Sequence, residues 1–204
     1  MSEILEKLKK FWNFLKKDTW QSWIVSMILL IIIIKGVLFP TLSFITSSPL
    51  PLVVVESCSM YHSSDFENWW TENEEWYESR YITKEQFKKF IMKNGLNKGD
   101  IIVIWGRSEP KVGDIIIFQT PSSSEAKHPI IHRVVSLNPL GTKGDNGKTN
   151  PGQIKDKYGS GIDESDIKKE NVLGKSIFKI PALGWIKLIF FEPFRQPSAR
   201  GFCK

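Results

Sequence analysis

A chain of 204 residues carrying 28 Lys and Arg, 22 Asp and Glu and a formal charge of +6 can hold one membrane segment and one domain that buries its own core. Its lysines are scattered through N-terminal, loop and C-terminal segments, which argues against nucleic acid as a partner. Cys58 and Cys203 lack the spacing of a zinc or redox pair, so neither a metal nor a cofactor is implied; of a disulfide and a small buried thiol beside Ser59, the thiol is the favoured reading.

Residues 1–20 carry Leu5, Leu8, Phe11, Trp12 and Leu15 at helical spacing with Lys7, Lys9, Lys10, Lys16 and Lys17 between them. That pattern predicts an amphipathic basic helix suited to an anionic membrane surface. Residues 23–45 are long and apolar enough to cross a bilayer if Lys35 snorkels toward an interface, and Trp20 and Trp23 suit the opposite interface. The segment is too long for a cleavable leader and reads as a retained anchor. Lysines crowd its N-terminal side, which puts the N-terminus in the cytosol and the remainder of the chain, residues 49–204, on the outer or lumenal side.

The β-branched run Val53, Val54, Val55 reads as a buried strand that ends in small hydroxyl residues, Ser57 and Ser59. A strand end is a rigid place to hold a nucleophile. Residues 61–97 differ in texture, being acidic and aromatic. Phe66, Trp69, Trp70, Trp76 and Tyr77 follow helical spacing behind a capping Asp65. Thr83 with Gln86 makes a capping box, and Gly95 is expected to supply the left-handed stop of that second helix. The pair is expected to pack over a sheet, with a lid near Ser59 as the alternative.

From residue 96 the pattern is that of a β domain. Gly99 and Asp100 precede the strand 101–105, and Gly113 and Asp114 precede the strand 115–118, with both aspartates read as turn formers. Residues 121–127 read as a polar loop. In the strand that follows, Ile130, His132 and Val134 share one face. Residues 142–146 are a Gly-containing turn, 172–179 a closing strand, and 180–191 an apolar segment that either rests on the membrane or is buried in the domain.

Ser57-Cys58-Ser59-Met60 beyond a single span, Ile130-Ile131-His132-Arg133-Val134-Val135, and Thr142-Lys143-Gly144-Asp145-Asn146, in this order, resemble the boxes of type I signal peptidases of the archaeal and endoplasmic-reticulum type. The resemblance implies a mainly β, signal-peptidase-like domain with a helical insertion at 61–97, anchored by one N-terminal transmembrane helix. It implies a membrane-bound serine endopeptidase that removes signal peptides from exported preproteins. Its partners would be those signal sequences, membrane lipid, and the translocation machinery or other membrane subunits, in the cell membrane or the endoplasmic-reticulum membrane. By the same resemblance Ser59 is the nucleophile, His132 the general base, and the Ser57 hydroxyl with the Ser59 backbone N–H the oxyanion hole.

The third catalytic member stays open. Asp145 fits the last box, but Asn150 and Pro151 stand where this branch carries a further Asp, leaving Asp156 as the other candidate. His62, just past the nucleophile, is poorly directed as a base, His128 precedes Pro129 at a loop edge where solvent would compete, and Lys143, in a polar Gly-rich loop, is expected to keep its charge. A histidine side chain is ordinarily mostly neutral at pH 7, as a base must be. The rival reading is a catalytically inactive membrane-anchored subunit of the same fold, since Tyr61 and His62 follow Met60 where the family commonly has a nearby proline.

Overall fold

A computed structural model describes residues 2–120, 128–156 and 161–204, in two units, Met1–Ile45 and Thr46–Lys204. The polar loop expected at 121–127 lies outside the described residues.

The first unit is helical. Helix α1 (Ser2–Leu15) turns into α2 (Trp20–Ile33), with Thr19 capping the Ser22 N–H and the Ser22 hydroxyl donating to the Leu15 carbonyl at 2.8 Å. After a π-helical turn over Ile34–Leu38, the chain continues as α3 (Phe39–Thr46). The stretch Trp20–Thr46, 27 residues, is long and apolar enough to cross a membrane. Pro40 explains the irregular turn. It has no N–H to donate, so the ladder before it is free to widen, and the Phe39 N–H reaches back five residues to the Ile34 carbonyl.

The second unit is built on one antiparallel sheet. Its strands are β1 (Leu52–Val54), β2 (Ile101–Trp105), β3 (Ile115–Phe118), β4 (Ile130–Leu137), β5 (Leu140–Lys143) and β6 (Val172–Ile180), in the order β1-β2-β6-β3-β4-β5. The strand expected to close the domain therefore sits inside the sheet, between β2 and β3. β3 is apolar throughout and buried on both faces, which places it centrally.

Strand alternation gives the sheet two different faces. Ile115 and Ile117 pair with Arg133 and Ile131, while Ile116 and Phe118 pair with His132 and Ile130. The first face carries the core of Val55, Met60, Leu96, Ile102, Ile104, Ile115 and Ile117. The second is filled by Ile116, Phe118, Val134, Leu140 and Ile167. His132 and Arg133 are neighbours in sequence and therefore look into opposite compartments.

The 61–97 segment forms α4 (Phe66–Glu78), capped by Asp65, and a single-turn α5 (Lys84–Phe87) closed by the Thr83–Gln86 capping box. Trp69, Trp70, Tyr77, Ile82 and Phe87 join Val135 of β4 in an aromatic core of their own. One expectation is corrected here. Gly95 does adopt a left-handed conformation (φ +71°), but α5 has ended at Phe87, and Gly95 instead bridges to Tyr61. A Cβ at Gly95 would lie 2.2 Å from the Met60 carbonyl oxygen, so glycine is needed for close approach.

The apolar segment at 180–191 contains α6 (Trp185–Phe191), in which Leu188 is buried while Ile186, Ile189 and Phe190 are exposed. Cys58 and Cys203 are joined in a disulfide. The free thiol favoured from the sequence is thereby corrected; folding brings together residues 145 positions apart, a proximity that spacing along the chain does not reveal.

Candidate active site

Ser59 lies in a turn just past β1, and both ends of that turn are tied down. Val55 continues the ladder by donating to the Asp100 carbonyl and accepting from the Gly99 N–H, each at 2.8 Å. Met60 is buried, and its carbonyl accepts from the Leu96 N–H at 2.8 Å. Between these anchors, Asn146 grips the turn from the side. Its N–H donates to the Ser59 carbonyl and its side-chain amide to the Cys58 carbonyl, both at 2.9 Å. The hydroxyls of Ser57 and Ser59 meet at 3.1 Å. Two hydroxyls thus stand together at the surface on a fixed backbone.

His132 is buried in β4 and its Nδ1 contacts the carboxylate of Glu164. Glu164 is itself fully buried. Its side chain accepts from Thr142 Oγ1 at 2.9 Å and from the Ile154 N–H at 2.8 Å, and its carbonyl accepts from the Thr142 N–H at 2.9 Å. A carboxylate can only accept, so in the neutral imidazole this pairing puts the proton on Nδ1 and the lone pair on Nε2, the arrangement a base requires. Sequence reading missed Glu164. It follows segment 157–160, far from any motif, and the one available signal was the absence of a carboxylate at Asn150.

The serine turn is linked to the histidine through β5. Thr142 shares the Glu164 carboxylate with His132, and Gly144, the residue just after β5, touches the serine turn. A Cβ at Gly144 would lie 2.7 Å from the Ser59 carbonyl oxygen and 2.7 Å from the Asn150 side chain. Only a residue without a side chain lets the serine turn come this close to the end of β5. Among the described residues, no hydrogen bond joins Ser59 to His132 directly.

Asp145 occupies the other compartment. Arg133 donates Nε to it at 2.9 and 3.1 Å and Nη2 at 2.6 Å; the remaining guanidinium protons go to the carbonyls of Ile91, Met92 and Gly113, so all five are used. Tyr77 donates its hydroxyl to Asp145 at 3.2 Å, His62 Nε2 lies 3.3 Å away, and Trp69 donates to the Asp145 carbonyl. Burial alone would raise the Asp145 carboxyl, but Arg133 and His62 outweigh it and hold the group far below the usual carboxylate range. The same burial, with Asp145 alongside, pushes the Tyr77 phenol well above its ordinary value. Asp145 is thus committed to Arg133 and not to His132, while Asp156 is exposed. The carboxylate at Nδ1 of His132 is that of Glu164.

Two competing bases can be placed as well. His62 spends Nε2 on Asp145 and lies flat on Trp69, ring centroids 3.8 Å apart. Lys143 is corrected: it is a residue of β5, buried beside the rings of Trp76 and Tyr77, and donates to the Gly144 carbonyl at 2.8 Å. Burial brings its pKa down to about 8. The sequence reading of a solvated loop overlooked the aromatic insertion folding over it. Lys143 shares the face of Arg133, however, and looks away from His132.

A cleft of about 560 Å³ opens between α4 and residues 143–151, with Tyr61, Asn73, Trp76, Lys143 and Asn146 in its walls; neither Ser59 nor His132 lines it. Among the described residues, no group of three or more His, Cys, Asp or Glu could hold a metal ion.

No protein-family model matches the chain. It is similar to signal peptidase complex catalytic subunits from fungi. The Sclerotinia sclerotiorum subunit is 28% identical over 110 residues, covering 50% of this chain. The subunits of Verticillium alfalfae and Chaetomium globosum are 24% and 25% identical over 160 residues, covering 74% of this chain and 70% of theirs. The chain resembles type I signal peptidases of the serine–histidine type. It spans 59% of the length of the Sclerotinia signal peptidase subunit.

Proposed function

We propose that the chain is a membrane-anchored serine endopeptidase that removes signal peptides from exported preproteins, with Ser59 as nucleophile, His132 as general base and Glu164 as the carboxylate that fixes the base. The observation that carries the reading is the contact at Gly144, where a rigid serine turn abuts the end of β5, the strand whose Thr142 shares a buried carboxylate with the Nδ1 of His132.

In acylation the Ser59 hydroxyl turns from Ser57 toward His132 Nε2, which takes its proton as the oxygen attacks the scissile carbonyl. The imidazolium so formed is stabilised by Glu164. The oxyanion is met by the Ser59 N–H and the Ser57 hydroxyl, a donor whose loss typically costs about 2.7 to 4 kcal/mol in the transition state. His132 then protonates the leaving amine, and a water, deprotonated by His132 in turn, hydrolyses the ester.

The helix Trp20–Thr46 anchors the enzyme, and the excess of lysines before it sets the N-terminus in the cytosol with Ser59 on the outer or lumenal side. Partners are signal sequences, the surrounding lipid and, as the relatives' names suggest, other subunits of a signal peptidase complex. The test is cleavage of a preprotein by detergent-solubilised full-length protein. Ser59→Ala and His132→Ala should each abolish cleavage while remaining folded, whereas His62→Ala retains most of it. Undiminished cleavage by folded Ser59→Ala would end the proposal.

A further inference from the structure

The nucleophile turn is held from a second side, by the end of the chain. Glu56 and Cys58 alternate with Ser57 and Ser59, and both are fastened to residues 187–203. The Glu56 carboxylate accepts from Lys187 at 2.9 Å and from Arg195 Nη2 at 2.5 Å, Arg195 Nη1 donates to the Glu56 carbonyl at 3.0 Å, and Cys58 is bonded to Cys203. Partial burial acts to raise the Glu56 carboxyl, yet Lys187 and Arg195 hold it below its ordinary value, so the pair is charged at neutral pH.

The segment that makes these contacts is itself braced. Arg200 donates to the carbonyls of Pro193 and Arg195, each at 2.8 Å, and the Gly201 N–H donates to Glu192 at 2.7 Å. Lys98, buried under the domain, reaches the Ala199 carbonyl at 2.7 Å and Glu192 at 2.8 Å. Phe202 lies against Trp185, centroids 4.5 Å apart. A strap fixed to the domain at so many points transmits its position to whatever it is bonded to. Asn146 independently holds the carbonyls of residues 58 and 59.

We propose that Arg195 and the Cys58–Cys203 disulfide are positioning residues for Ser59, and that the strap makes the enzyme active only where that disulfide is kept oxidised. The inference rests on the peptidase reading for its effect on cleavage, but not for its effect on the turn. Both cysteines are half-buried. With dithiothreitol, one thiolate attacks a sulfur of the disulfide and releases the other cysteine as a thiol. The second dithiothreitol sulfur then displaces the first protein sulfur, leaving two cysteine thiols and one cyclic oxidised reagent.

The test uses full-length protein in detergent micelles, untreated, reduced with dithiothreitol, and as the variants Arg195→Met and Arg195→Lys, which keep the disulfide. Alkylation and intact mass count the free thiols. Amide hydrogen exchange is followed at Tyr61 and Asn146, whose N–H groups bond the carbonyls of Cys58 and Ser59, and at Ile117 and Val134 in the sheet. Reduction and Arg195→Met should each speed exchange at Tyr61 and Asn146 at least about 10-fold with the sheet unchanged, and lower kcat about 10- to 100-fold with little change in KM. Arg195→Lys should recover part of both, and reoxidation should restore the reduced protein. Two free thiols in the untreated protein, unchanged exchange in the turn after verified reduction, or equal acceleration in turn and sheet would each overturn the strap. If the oxidised parent cleaves nothing, the peptidase reading fails and the exchange data alone decide the strap.

Discussion

Glu164→Gln is the most discriminating substitution in the site. The side chain keeps its shape, but one oxygen becomes an amide nitrogen facing either His132 Nδ1 or the Ile154 N–H, both of which donate to the carboxylate in the parent. One buried donor is therefore left without an acceptor, a cost of about 1 to 3 kcal/mol, which for a chain of this size lowers the thermal midpoint by about 2 to 12 °C. The catalytic loss should be larger. Without a carboxylate the imidazole is free to take the wrong tautomer and its cation is unsupported, so kcat should fall about 100- to 10,000-fold with KM little changed. Asp145→Asn provides the contrast, since it strips the buried Arg133 guanidinium of its counter-charge and should cost about 3 to 5 kcal/mol of stability. The assay is preprotein cleavage over a range of substrate concentrations, with thermal midpoints taken on the same detergent-solubilised samples. A folded Glu164→Gln protein whose kcat stays within about threefold of the parent would refute the role given to Glu164, decisively so if Asp156→Asn were inactive.

Lys143→Met should alter the pH dependence of stability and leave cleavage largely intact. With a native pKa of about 8 against an ordinary 10.5, the unfolded chain binds a proton that the native protein lacks between those values. The parent should therefore gain stability as pH rises across that window, by up to about 3 kcal/mol, and the variant should not; parallel curves of thermal midpoint against pH would count against this. Gly144→Ala would press a methyl group on the Ser59 carbonyl, a backbone atom that cannot swing aside, and should lower kcat about 10- to 100-fold in a protein that still folds. Wild-type kcat in that variant would remove Gly144 from the argument. Trp70→Ala, emptying the middle of the aromatic core, should cost about 3 to 5 kcal/mol by thermal or denaturant unfolding.

Much of the frame was readable from local pattern. Strands 101–105 and 115–118 announce themselves as β-branched runs after Gly-Asp turns, and Asp65, Thr83 and Gln86 make caps whose chemistry is complete within four residues. What escaped depends on contacts distant in sequence. Lys143 reads as solvated because nothing near it indicates that Trp76 and Tyr77 fold over it. Glu164 was invisible because any of several acids after Asn150 could have reached His132, and local pattern does not choose among them. The Cys58–Cys203 bond and the interior position of β6 are of the same kind, consequences of topology that periodicity does not encode.

The adjacency of His132 and Arg133 bears on what changes in chain length this protein can survive. One side chain belongs to the compartment of Glu164, the other to that of Asp145, and the alternation of a strand is all that separates them. Gaining or losing a single residue within β4 ahead of them, with the pairing to β3 retained, would deliver the guanidinium to Glu164 and the imidazole to Asp145, exchanging both ionic sites at once. A two-residue change would restore the sides but shift each group by about 7 Å along the sheet. Length variation among descendants of this sequence should accordingly collect in the connections and spare Ile130–Leu137, so that the spacing from Ile130 to Arg133 would be inherited more faithfully than the identity of the aliphatic residues within it.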